Sequence, residues 1–140
     1  MPRQKEQYCI SLVSDALDGA KYSKQHQFDF LKGEPTTKRP NGIKLRVDAY
    51  YPDFRLILEF REGQHYSDSK RFDFWNNKQT AIGVDRKTQR LMYDKKREKV
   101  LPANGYKLLV IYDNELAMAD REKDITVIKQ KLKKIEIKKD

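Results

Sequence analysis

The sequence predicts one α/β domain, 1–140, in which three consecutive strands lead through a helix to a fourth strand, with a further helix at each end. Three observations lead there. Apolar residues recur at helical spacing near both termini. Short runs rich in Val, Ile, Leu, Phe and Tyr occupy three places in the first half and one place after residue 105. A charged helical stretch separates the third run from the fourth. An α-β-β-β-α-β-α order makes a mixed four-stranded sheet with helices on its faces. At 140 residues the chain has room for one core.

The elements follow in order. Gln4 to Ala20 sets Cys9, Leu12, Val13, Ala16, Leu17 and Ala20 on one side of a helix, and Gly19 near its end is a stop signal. Gln25 to Leu31 reads as a strand around Phe28 and Phe30. The breakers between Gly33 and Gly42 mark a loop. Its Lys38 and Arg39 suit either an arm that touches phosphates or a solvated connection. Lys44–Tyr51 and Arg55–Glu62 are strands joined at Pro52-Asp53. Leu45, Val47 and Ala49 share one face of the first. Leu56, Leu58 and Phe60 share one face of the second, with Ile57, Glu59 and Arg61 on the other.

Gly63 to Asp85 is irregular, polar and aromatic, with a helical turn near Phe72 to Asn76. A helix from Asp85 or Arg86 to Leu101 is closed by Pro102 and Asn104-Gly105. The uninterrupted apolar run within Lys107–Tyr112 is a buried strand. From Asp120 to Ile135, the stripe Ile125, Ile128, Leu132 and Ile135 on a lysine-rich background predicts a helix that covers the sheet, in preference to a membrane-surface helix or a dimer seam.

Composition narrows the function classes. Thirty Lys+Arg against 21 Asp+Glu leave a formal charge of +9, which draws the chain to polyanions. Cys9 is the single cysteine, so an internal disulfide and a cysteine-rich zinc site are excluded. The opening Met-Pro-Arg-Gln-Lys-Glu-Gln lacks a hydrophobic signal core, and no apolar run has membrane-spanning length. The expectation is a cytoplasmic protein with no membrane partner.

The chemistry concentrates in one hairpin. If the turn centres between Asp53 and Phe54, Asp48 falls opposite Glu59 on the same face. Cβ atoms of such a pair sit about 4.5–5.5 Å apart. Two carboxylates at about 5 Å repel by roughly 3 kcal/mol at an effective dielectric near 20. A proton or a cation between them relieves this. Mg²⁺ suits an open site with few carboxylates, because it keeps several waters and takes phosphate oxygens. The competing reading pairs one carboxylate with Arg46 or Arg61. Arg61 shares the face of Glu59, where its cation is placed to stabilise charge growing on phosphorus. His65 has the pKa range for acid–base work, or is a hydrogen-bonded loop residue.

Arg46-Val-Asp-Ala-Tyr-Tyr-Pro, followed by Leu-Ile-Leu-Glu59-Phe-Arg-Glu-Gly-Gln-His65, resembles the PD-(D/E)XK nuclease superfamily. It is most similar to the small branch related to very-short-patch repair endonucleases. Asp48, Glu59, Gln64 and His65 fall on matching positions, and Arg61 stands where the usual lysine would be. The likeness extends over roughly Glu6 to Tyr112. It implies a restriction-endonuclease-like core and a DNA endonuclease using Mg²⁺ (or Mn²⁺). It also implies Asp48 and Glu59 as metal ligands, with Glu6 of the first helix the best-placed third carboxylate. Glu6 also suits a helix-start acid favoured by the dipole.

For the nucleic acid, Arg86, Arg90, Tyr93 and Arg97 align along one helix face at spacings of four, three and four. Such a row tracks a phosphate backbone. The alternative is a solvated face threaded by pairs such as Arg90 with Asp94. Two other functional readings stay open: a nucleic-acid-binding protein with a decayed site, and a ribonuclease, since positive charge does not tell DNA from RNA. One site per chain makes a homodimer the natural route to cutting both strands.

Overall fold

A computed structural model describes residues 2–33, 37, 40, 42–61 and 86–137. Among these, helix α1 (Pro2–Ala16) leads to strands β1 (Ser23–Lys32), β2 (Lys44–Tyr51) and β3 (Leu56–Arg61). Helix α2 (Arg86–Ala103), strand β4 (Lys107–Tyr112) and helix α3 (Arg121–Lys134) follow. The sheet order is β1-β2-β3-β4, antiparallel across the first two pairs and parallel between β3 and β4. The expected α-β-β-β-α-β-α succession and mixed four-stranded sheet are both present.

Local chemistry explains the boundaries. Asp18 (φ 57°) and Gly19 (φ 80°) turn left-handed after α1, and the Gly19 N–H donates to the Ser14 carbonyl at 2.8 Å. The expected helix to Ala20 therefore stops a turn early. Pro52–Phe54 forms one 3₁₀ turn, and Arg55, at φ 48°, reverses the chain into β3. Pro102 lies inside the last turn of α2 instead of just beyond it. Gly105, at φ 87°, then carries the chain into β4. Asp120 caps α3, its side chain accepting from the Lys123 N–H.

Two apolar layers sandwich the sheet. Cys9, Ile10, Leu12 and Val13 of α1 pack with Ile128 and Leu132 of α3 on Leu56, Leu58, Leu109 and Ile111. On the opposite side Leu101 of α2 packs on Ile57, Phe28 and Leu31, with Tyr93 and Val100 against the same cluster. The stripe of α3 thus covers the core. Asp124 of α3 locks this layer: it accepts from Tyr8 Oη at 2.6 Å and from the Ala117 and Met118 N–H groups at 2.6 and 3.0 Å. Among the described residues, no helix is long and apolar enough to cross a membrane.

One expectation is corrected. Leu45, Val47 and Ala49 do not share a face. Ala49 packs in the α1/α3 layer, while Leu45 and Val47 pack in the α2 layer. Strict alternation fails between Val47 and Ala49, at Asp48. Across from it on β1 lies Gln25 at φ 51°, between the register pairs Lys24↔Ala49 and His26↔Val47. β2 rotates and exchanges its apolar faces where it passes this left-handed residue of β1. Binary pattern alone does not reveal such a rotation.

Candidate active site at the fork between β2 and β3

The hairpin register is Ala49↔Leu58, Tyr50↔Ile57 and Tyr51↔Leu56, so Asp48 and Glu59 occupy the next opposing positions. Pairing stops there. Beyond Ala49, β2 stays with β1, while β3 stays with β4 through Arg61↔Tyr112. The sheet forks, and the fork strands backbone N–H groups that a continuous ladder would satisfy.

The two carboxylates fill that role for each other's strand. Glu59 Oε2 accepts from the Asp48 N–H at 3.0 Å, and Asp48 Oδ2 accepts from the Phe60 N–H at 2.6 Å. Both side chains are thereby fixed in the gap where the strands separate. Glu59 is 5% exposed. Asp48 is half-buried and shares a hydrogen bond with Glu6 of α1, whose Oε2 also accepts from Gln25 Nε2 at 3.4 Å. Asp48 thus lies beside each of the other two acids expected from the sequence, Glu59 and Glu6.

Helix α2 closes the fork from the other side. Arg97 Nε lies 3.3 Å from Glu59 Oε1 and donates to the Arg46 carbonyl at 3.2 Å, tying β3 to β2. Its Nη1 holds Asp94 Oδ1 at 2.9 Å. Arg61, 6% exposed, lies 3.8 Å from Asp94 Oδ2 and donates from Nη1 to Glu98 Oε1 at 3.1 Å. Burial makes the contacts of Arg97 with Glu59 and Asp94, and of Arg61 with Asp94, matter far more than a surface pair, while Glu98 is exposed.

Among the described residues, the carboxylates of Asp48, Glu59, Glu6, Asp94 and Glu98 gather around the guanidinium groups of Arg61 and Arg97. Burial, then the nearby Glu59, then Glu6 push the Asp48 carboxyl up to about 9, against the hydrogen bond from the Phe60 N–H. Burial also raises Glu59, opposed by Arg97, the Asp48 N–H and Arg61. Burial and the neighbouring acids thus favour the protonated form of Asp48. Sites that bind a proton this strongly for want of positive charge are the sites that a cation discharges.

The donor set suits a hard divalent ion. Asp48 and Glu59 are oxygen ligands, and a carboxylate has about four lone-pair sites, so each keeps capacity beyond its backbone bond. Among the described residues, no group of three or more His, Cys, Asp and Glu side chains is arranged to hold a metal ion. A two-carboxylate arrangement fits Mg²⁺, which retains waters, better than a fully caged ion.

The remaining expected residues divide. Gln64, His65, Lys38 and Arg39 lie outside the described residues, as does the turn expected near Phe72 to Asn76. Arg86 opens α2, with its side chain outside them too. Arg90 is exposed on α2. Tyr93 and Arg97, expected to front a nucleic acid, face the sheet instead. Tyr93 packs in the α2 layer, and Arg97 neutralises Glu59. The physical reason is the buried Glu59 charge, which recruits the nearest cation of the covering helix. Arg61, expected beside Glu59, is held from α2 by Asp94 and Glu98. Asp94 and Glu98 did not stand out in the sequence, although Asp94 and Arg97 have the i, i+3 spacing of a helical ion pair.

Comparison of the chain with protein-family models, curated proteins and solved structures finds no match.

Proposed function

We propose that the chain is a divalent-metal-dependent endonuclease of the PD-(D/E)XK type that hydrolyses DNA phosphodiesters, with Mg²⁺ or Mn²⁺ as its ion. The observation that carries this reading is the interlocked acid pair at the fork. Asp48 and Glu59 are fixed by each other's strand, backed by Glu6, and carry more negative charge than Arg61 and Arg97 offset. A structural role needs no such surplus.

Asp48 and Glu59 would hold the ion, with Glu6 next to Asp48 as the third acid. When bound, a divalent ion supplies a Lewis acid for a phosphate oxygen and lowers the pKa of a bound water. The chain's own residues do the rest. Arg97 and Arg61 hold the fork and α2 at fixed separation, so the carboxylates need no reorganisation when substrate arrives. The basic surface, +9 overall with exposed Arg90, concentrates a polyanion near the acids. Gln64 and His65, three and four residues after the end of β3 in sequence, are the acid–base candidates of this reading. A homodimer would pair two such sites for double-strand cutting.

The test is cleavage of supercoiled plasmid and of structured RNA, with and without Mg²⁺ or Mn²⁺. Metal-dependent nicking of the plasmid, lost in Asp48→Asn and Glu59→Gln with folding intact, is the expected result. Cutting that survives both substitutions overturns the reading. A second reading, a nucleic-acid-binding protein whose site has decayed, is favoured by one observation: Arg97 already occupies Glu59. It predicts binding without cutting under every metal condition.

A further inference from the structure

A cluster of five rings sits on the α2 side of the sheet. Phe28 is its base, with His26, Tyr50, Phe30 and Tyr106 at ring-centroid distances of 4.7, 5.2, 5.3 and 4.9 Å. Phe28 is buried, yet Phe30 is 39% exposed, and the other three rings are half-buried. The packing is not closed off as an interior would be. Phe30 and Tyr106 lie nearly parallel, 21° apart with centroids at 5.9 Å. Their faces form the open end of the cluster.

Cations border it. The Arg55 guanidinium lies 4.5 Å from the Tyr106 ring centroid and donates to the Gly105 and Asn104 carbonyls at 3.0 and 3.3 Å, which leave its charge in place. Lys32 and Lys44 are cross-strand partners at the far end of β1 and β2. Like charges placed opposite one another destabilise a sheet. Lys44 is relieved on one side by Asp29 at 2.6 Å. Exposed rings edged with positive charge match a chain of flat bases joined by phosphates. An apolar protein partner would desolvate the Arg55 charge, which its carbonyl partners do not neutralise.

We propose that this ring cluster is a stacking platform for unpaired bases of single-stranded nucleic acid, with Phe30 as the exposed contact face, Tyr106 supporting it, and Arg55 and Lys32 serving the backbone. It rests on the nucleic-acid reading above and extends it by naming an unpaired strand as ligand. Tyr50 is two residues along β2 from Asp48, about 7 Å of strand. His26 pairs with Val47, the neighbour of Asp48. A strand lying on the rings thus passes beside the acid fork.

Fluorescence anisotropy in EDTA tests this without any cutting. The probes are labelled oligothymidylate, oligouridylate, an abasic oligomer of the same length, and a duplex. Stacking contributes about 1–3 kcal/mol per base. Phe30→Ala should therefore weaken oligothymidylate binding roughly five- to 150-fold. The abasic oligomer and the duplex should bind the variant as they bind wild type, with the salt dependence unchanged, because phosphate contacts remain. Phe30→Trp should restore binding. A matching loss for oligouridylate assigns the platform to either polymer; a loss for oligothymidylate alone restricts it to DNA and still supports it. If the abasic oligomer binds wild type as tightly as oligothymidylate, or folded Phe30→Ala binds oligothymidylate normally, the platform is refuted. Loss of metal-dependent cutting with base-dependent binding intact would refute the nuclease reading alone.

Discussion

Replacing Asp48 by Asn should stabilise the protein at neutral and alkaline pH while ending metal-dependent cutting. The folded carboxyl is pushed up to about 9 from an ordinary value of 3.8. Between those values the native state binds one proton more than the unfolded state, so unfolding free energy falls as pH rises. The slope is about 1.4 kcal/mol per pH unit, and from roughly pH 4 to pH 7 it accumulates to about 4 kcal/mol. Asn has the same shape, stays neutral, can accept from the Phe60 N–H through its carbonyl oxygen, and can donate to Glu6. Asp48 is half-buried, and solvent screening trims the ceiling to about 2 kcal/mol at pH 7. For 140 residues this is a rise of roughly 7 °C in Tm. The assay is thermal unfolding of both proteins at pH 5, 7 and 9, each in EDTA and in millimolar Mn²⁺. The variant's advantage should grow with pH in EDTA, and Mn²⁺ should stabilise only the wild type. A variant less stable than wild type at pH 9, or a difference that ignores pH, would refute the strained-acid argument.

Glu59→Ala removes the acceptor of the Asp48 N–H and one of the two carboxylates on Arg97, leaving Asp94; urea unfolding should register a loss of about 1–3 kcal/mol, and Glu59→Gln a clearly smaller one. In a salt titration of DNA binding, Arg90→Gln should lower the slope of log K against log salt by about 0.9. Arg97→Gln should leave that slope unchanged, because its guanidinium is spent on Glu59, Asp94 and the Arg46 carbonyl. Tyr8→Phe deletes the donor to Asp124 and should cost about 1–3 kcal/mol in urea at pH 7. Burial, then the Asp124 hydrogen bond, push Tyr8 up to about 12 from 10.0, so the wild type should lose stability between pH 10 and 12 in a way that the Phe variant does not.

Much of this was legible in the residues. The limits of β2 and β4 fall where alternation and the apolar run place them, Lys44–Tyr51 and Lys107–Tyr112. The opposition of Asp48 and Glu59 follows from a turn centred at Asp53 and Phe54, because hairpin register is set by its turn. Periodicity and turn geometry are local, and a sequence displays local constraints directly. The direction of a side chain over a packed face is not local. Arg97 and Tyr93 share a helix face that reads equally well as a nucleic-acid stripe or as a sheet-facing stripe. The sequence by itself determined the order of elements, the facing of the acid pair and the surplus of positive charge. Only the tertiary structure decided that the strand rotates at Asp48 opposite Gln25, that the sheet forks there, and that α2 turns Arg97 onto Glu59. Those outcomes depend on which buried charge finds which counter-charge when elements distant in sequence are packed together.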